Sequence, residues 1–244
     1  MKVCLAATSD KKFCLQEIKQ IKYVLESFYY IQEWQIPIIK NADLFLLDSG
    51  AFTFMNNAKK TNINWKEYID SYIDFINKHD IKYFFELDID VVVGYENVKK
   101  ITGYIEQKTN KKCIPVWHKS RGLQEWKRLT EEYEYVAIGG IVTKEIRQCD
   151  YKFFTPLLDI ANKNKCKVHG LGFTSLKMLE KYKFYSVDST SWKSGGRFGQ
   201  IYLFNGKSLV QKSFNNKRII DYRQADKFNL KEWVKYQKYA DKNL

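Results

Sequence analysis

Short apolar runs alternate with amphipathic stretches along nearly the whole chain, and this alternation predicts its architecture. Seven runs, at residues 3–8, 44–48, 83–88, 113–118, 135–139, 167–172 and 184–188, are rich in β-branched or aromatic side chains. Continuous hydrophobicity of this kind marks strands buried on both faces, as in a parallel sheet. Helical periodicity fills the intervals at 13–34, 65–79, 97–109, 123–133 and 175–182, with an interrupted helical stretch at 145–163. In 65–79, Trp65, Tyr68, Ile69, Tyr72, Ile73 and Ile76 recur at three- and four-residue steps and form one apolar face.

Strict βα alternation predicts a parallel sheet with helices outside, either a closed barrel or a doubly wound sheet. An eighth strand is available at 200–204 or 208–214, although Asn205-Gly206 between them also reads as a hairpin turn. A closing helix is expected at 230–240, packed on the exterior. With no internal repeat, low-complexity linker or composition break, residues 1–244 read as one domain, a length that suits an undivided α/β barrel.

Composition narrows the partners. A 45% hydrophobic fraction with 16% aromatics fills a core and excludes disorder. The 41 Lys+Arg against 28 Asp+Glu leave a charge of +13. That excess favours a polyanionic partner, nucleic acid or an anionic membrane surface, although AT-rich coding also yields lysine-rich chains. Five cysteines, an odd number with no CxxC pair, indicate neither a disulfide framework nor a zinc ribbon. No apolar run reaches the roughly 20 residues of a bilayer span, and no secretory segment opens the chain. A soluble cytoplasmic protein without a membrane partner, metal or other cofactor is therefore expected.

In parallel α/β folds chemistry collects beyond the carboxyl ends of the strands. The polar residues there are Asp48-Ser49-Gly50, Asp88 followed by Asp90, His118, Gly139-Gly140, the glycines of 170–172, and Asp188-Ser189. Each has a plainer reading. Asp48 also fits a helix N-cap, His118 a core or rim histidine, and Gly139-Gly140 a tight turn. Glu86, Asp88 and Asp90 share strand parity and either line one face or form a solvated rim. Asp188 is harder to dismiss, because a carboxylate ending a buried strand needs a donor or cation nearby. After it, Lys193, Arg197 and paired glycines form a basic loop suited to gripping phosphate.

These segments resemble the tRNA-guanine transglycosylase superfamily. LLDSGAF at 46–52 is similar to its TDSGGFQ-type motif, and LDI at 87–89 to the strand end that carries a base-reading aspartate. AIGGI at 137–141 resembles the IGGL-type element, and HGLGFTS at 169–175 the MGVGTPE-type element. VDSTSW at 187–192, followed by SGGRFGQIYLFNG, resembles the nucleophile segment and its basic hairpin. The motifs span roughly residues 44 to 206 in the family order.

The resemblance implies a (β/α)8 TIM barrel, with Asp188 as nucleophile and Asp48 as general acid/base. It implies that Ser49, Gly50, Asp88, His118, Gly139 and Gly140 bind the base, with His118 standing where the tRNA enzymes have glutamine. Lys193 and Arg197 would contact nucleic acid, and Phe52, Tyr95, Trp117 and Trp192 are candidates for stacking on a flipped base.

The tRNA enzymes carry a zinc site of clustered cysteines and a histidine, and archaeal members add RNA-binding domains. This sequence shows neither. Both departures favour the compact branch, found in phages and bacteria, that inserts 7-deazaguanines into DNA. For a phage protein the setting would be the host cytoplasm. The expected reaction replaces guanine in DNA with a 7-deazaguanine such as 7-cyano-7-deazaguanine. Base exchange on tRNA, a nucleic-acid base glycosylase that uses water, and a non-catalytic nucleic-acid-binding barrel are the alternatives.

Overall fold

The computed structural model describes residues 1–51, 53, 63–213 and 221–244. Its centre is a curled, seven-stranded parallel sheet in the order β3-β2-β1-β7-β6-β5-β4. The strands are β1 (Lys2–Ala6), β2 (Tyr23–Ser27), β3 (Leu44–Asp48), β4 (Val116–Trp117), β5 (Tyr135–Ile138), β6 (Lys167–Gly170) and β7 (Ser186–Ser189). Period-two alternation divides their side chains between two cores. Cys4, Ala6, Leu25, Leu46, Phe85 and Ala137 fill the concave interior. Val3, Leu5, Val24, Phe45, Val136 and Val187 pack outward against the helices.

The expected ring of eight strands does not form. β3 and β4 are linked only through the extended segment around Phe84 and Phe85, with one parallel bridge on each side, Leu47 to Phe84 and Phe85 to Ile114. Side chains intercept the ladder there. The Tyr72 hydroxyl donates to the Phe85 carbonyl at 2.9 Å. On the other side the Val116 N–H donates to Glu86 Oε1 at 3.0 Å instead of to a backbone carbonyl. Each substitution satisfies a buried backbone group but ends the strand pairing.

Two further expectations are corrected. Residues 13–34 are not one helix: they contain the short helix Leu15–Ile18 and then β2, which lies between β1 and β3. Ile18, Ile21, Val24 and Leu25 mimic a helical stripe, but Tyr23 and Leu25 face the interior while Val24 packs outward. The segment 200–213 supplies no eighth strand to the sheet: as the Asn205-Gly206 turn allowed, it is the antiparallel hairpin β8 (Gln200–Phe204) and β9 (Leu209–Ser213), separate from the main sheet. Asn205 Oδ1 accepts from the amides of Lys207 and Ser208 in its turn.

The last helix is longer than expected, Tyr222–Asn243, and starts on an Asp221 cap that accepts from the Arg223 and Gln224 amides. Its Asn229 and Glu232 accept from the Tyr202 and Phe204 amides, covering the β8 edge. One turn further on, Gln237 donates to the carbonyls of Val3 and Tyr23 and ties β1 to β2. The helices Trp65–Lys78, Tyr95–Thr109 and Gly122–Glu132 fall close to their predicted bounds, and the interrupted stretch 145–163 resolves into a 3-10 turn at Gln148–Phe153 and the helix Phe154–Lys163. Among the described residues no helix is long and apolar enough to cross a membrane.

Candidate functional site

At the carboxyl ends of the strands the polar residues gather as strand parity requires. Asp48 follows Leu44 and Leu46 on the interior face of β3, and Asp188 lies opposite Cys4 in the register of β7 with β1. One cavity is bordered by Asp48, Ser49, Glu86, Asp88, His118 and Gly140.

Three aspartates at this end occupy different settings. Asp48 Oδ2 accepts from the Gly50 amide at 2.9 Å. Burial pushes its carboxyl up to about 6, the charges of Asp188 and Asp88 push the same way, and the Gly50 N–H opposes them. Asp188 is nearly buried, and its Oδ1 accepts from the Gly172 amide at 2.6 Å and lies 3.3 Å from His169 Nε2. Asp88 is held by cations: His118 Nε2 lies 2.9 and 2.8 Å from its two oxygens, and Arg121 Nη2 lies 3.4 Å from Oδ1.

His118 bridges two carboxylates, since its Nδ1 lies 2.9 Å from Glu145 Oε2. Burial alone would lower its basicity, but Asp88 and Glu145 outweigh that and bring it up to about 9. The ring is therefore an imidazolium at neutral pH and donates from both nitrogens. Glu145 in turn accepts from the Ser120 amide at 2.8 Å. Beside it the Arg121 side chain, only 3% exposed, pairs with Glu86 at 2.8 Å and Asp90 at 3.2 Å. The Arg121 guanidinium also lies 4.1 Å from the Tyr95 ring centre. The shared parity of Glu86, Asp88 and Asp90 thus resolves into a cluster on one arginine, with Glu86 buried and Asp88 and Asp90 half-buried.

The glycines have steric reasons. Gly50 adopts φ +79°, and a Cβ there would meet Tyr29 Cβ at 2.8 Å. At Gly139 a Cβ would stand 2.8 Å from His118 Cε1, and at Gly140, with φ +80°, 2.8 Å from Glu145 Oε2. The two-glycine turn is what lets the His118–Glu145 pair lie against the backbone. Ser49 is buried, and its carbonyl accepts from the Tyr68 hydroxyl at 2.5 Å.

Other expected contacts fall elsewhere. Lys193 is buried and donates to Asp10 at 2.9 Å, so it is a structural cation and not part of a loose basic loop. Residues 194–198 are helical, and the Gly196 amide donates to Asp226 at 2.8 Å. Arg197 is exposed. Trp117 and Trp192 are buried in the outer core, with indole N–H groups bonded to the carbonyls of Gly122 and Ala6, and neither is presented for stacking. Tyr95 is committed to Arg121 and Glu125. Phe52 lies outside the described residues.

Arg121 and Glu145 were missed in the sequence, where nothing but a position in or near a βα connection marks them, and His169 figures there only as part of the segment 169–175, with no role of its own. Glu26, on the unforeseen β2, was missed too. Burial pushes it up to about 7 against hydrogen bonds from the Thr8 amide and hydroxyl at 2.6 and 2.5 Å. Among the described residues no group of three or more His, Cys, Asp or Glu side chains is arranged to hold a metal ion. No protein-family model matches the chain, and no curated protein is similar to it.

Proposed function

We propose that this chain is a base-exchange transglycosylase that replaces guanine in DNA with a 7-deazaguanine, 7-cyano-7-deazaguanine foremost. On this reading the curled sheet is an irregular (β/α)8 barrel and residues 46–52, 87–89, 137–141, 169–175 and 187–206 are its family motifs. One observation carries the reading: Asp48, Asp88 and Asp188 stand at one end of a parallel sheet in three distinct electrostatic settings. Carboxyl groups held by different partners in this way divide acid, base and nucleophile roles between them.

Exchange at C1′ passes through an oxocarbenium-like transition state, as glycoside cleavage does. Asp188 attacks C1′ as the C1′–N9 bond breaks, giving a covalent glycosyl ester and dividing one hard step into two. Its described hydrogen bonds fall on Oδ1, which leaves Oδ2 for attack. Asp48 gives its proton to the departing guanine and then takes one from the incoming base. A carboxyl near 6 suits both transfers at neutral pH, and such catalysis contributes roughly 10²–10⁴-fold. Asp88, oriented by His118 and Arg121, accepts from N1–H and the 2-amino group of guanine, a donor pair that adenine lacks. Ser49, Gly50, Gly139 and Gly140 line the base site, and exposed Arg197 is the contact for phosphate.

The test incubates the chain with DNA or tRNA carrying radiolabelled guanine and a panel of 7-deazaguanines. Label released from DNA only when a deazaguanine is added supports the proposal. Release from tRNA alone moves the substrate to RNA, and abasic product without added base makes the protein a glycosylase. Release from neither polymer refutes the reading, as does exchange that survives Asp188→Ala.

A further inference from the structure

His169 on β6 is fully buried beside Asp188, and its two ring nitrogens face different partners. Nε2 lies 3.3 Å from Asp188 Oδ1, and Nδ1 lies 2.5 Å from Ser186 Oγ. Ser186 stands opposite His169 in the β6–β7 register, so the two side chains share the interior face. Beyond it, the Tyr135 hydroxyl bonds to the same Ser186 oxygen. The chain Tyr135–Ser186–His169–Asp188 therefore runs from the middle of the barrel to the carboxylate at its mouth.

Hydrogen-bond satisfaction sets the direction of this chain. The buried Tyr135 hydroxyl has Ser186 Oγ as its partner among the described residues, so it must donate there. Ser186, having accepted from tyrosine, sends its own proton to His169 Nδ1. Nδ1 is then an acceptor, and the ring proton sits on Nε2, facing Asp188. The reverse polarity would put the ring proton on Nδ1, set an Nε2 lone pair against the Asp188 oxygen unless a second proton is bound there, and leave the tyrosine O–H buried without an acceptor, at a cost comparable to a lost hydrogen bond.

We propose that His169 is a positioning residue, held as its Nε2–H tautomer by Ser186 and Tyr135, that orients the Asp188 carboxylate by donating to Oδ1. The consequence for catalysis rests on the transglycosylase reading; the tautomer does not. Together with the Gly172 amide, the imidazole fixes Oδ1 from two sides and leaves Oδ2 as the reacting oxygen. When Oδ2 bonds to C1′, Oδ1 becomes the ester carbonyl oxygen and keeps both donors. The same contacts then polarise the ester for departure in the second step. His169 transfers no proton in either step.

The chain has three histidines, so imidazole signals of the full-length protein labelled with ¹⁵N-histidine are assignable by loss in His79→Gln and His118→Gln. The remaining ring is expected in the Nε2–H tautomer. An Nδ1–H ring or a doubly protonated ring overturns the proposal. Exchange kinetics supply a second readout. His169→Leu is expected to lower kcat by roughly 10²-fold at unchanged KM, since misplacing a reacting group costs about that much. His169→Gln keeps a side-chain N–H and is expected to recover at least about tenfold of that loss. Equal losses in the two variants overturn the positioning role. The tautomer is read without substrate, so a protein with the Nε2–H ring that exchanges no base refutes the transglycosylase reading alone.

Discussion

Replacing Asp48 by asparagine should stabilise the protein above neutral pH and leave it nearly unchanged in acid. Burial raises this carboxyl from its ordinary 3.8 to about 6, with Asp188 and Asp88 acting in the same direction. A folded-state value above the unfolded one means that the folded protein binds the proton more tightly. Its contribution is favourable below about pH 4 and is lost as pH rises through about 6. Ionising Asp48 thus costs the fold about 3 kcal/mol by pH 8, about 1.5 kcal/mol at pH 5 and about 0.5 kcal/mol at pH 4. Asparagine has nearly the same shape, and its Oδ1 can still accept the Gly50 amide, so the difference isolates the charge. Glu26 titrates in the same window but is common to both proteins and cancels. Urea unfolding of both proteins, followed by tryptophan fluorescence between pH 4 and 8, measures the gap. A gap that is constant with pH, or a wild type more stable than Asp48→Asn at pH 8, would refute the electrostatic account of the mouth.

His118→Gln should destabilise where Asp48→Asn stabilises, with a pH dependence of the same sign, since both folded values lie above the unfolded ones. Its folded value of about 9 lies above the ordinary 6.5, so its stabilisation is complete below 6.5 and is lost as pH rises through 9. Unfolding should register a cost of about 3 kcal/mol at pH 6 that largely disappears by pH 10. Gly140→Ala should destabilise by about 1–3 kcal/mol, because it places a Cβ at positive φ and against Glu145; NMR titration of His118 should then show a lower pKa as Glu145 is displaced. Arg121→Met should cost about 3–5 kcal/mol in the same unfolding assay, because Glu86, Asp88 and Asp90 lose their shared cation.

Much of the architecture was legible as local pattern. Continuous apolar runs identified six of the seven sheet strands or their near neighbours, and helical periodicity placed three long helices within two residues of their bounds. β2 escaped because its interior and exterior apolar residues follow one another at spacings that also satisfy a helix; only pairing with β1 and β3 distinguishes the two. The break between β3 and β4 was invisible for a related reason. It depends on the Tyr72 hydroxyl and the Glu86 carboxylate taking backbone partners supplied by distant segments.

The site divides along the same line. Strand parity and the rule that polar residues collect at carboxyl ends were enough to gather Asp48, Asp88, His118 and Asp188 from sequence, since backbone geometry alone dictates where a strand end points. Their charge states were not available there. The imidazolium at His118 needs Glu145 from 27 residues away, the raised Asp48 needs its buried surroundings, and the hold on Asp188 needs Gly172 and His169 from β6 and its following turn. Desolvation and Coulomb interactions depend on distance through space, and a linear pattern carries none of that distance. The same physics moved Lys193 from an expected phosphate contact to a buried partner of Asp10. Sequence determined which residues arrive at the mouth; the tertiary structure decided which are charged, which are held and which are already taken.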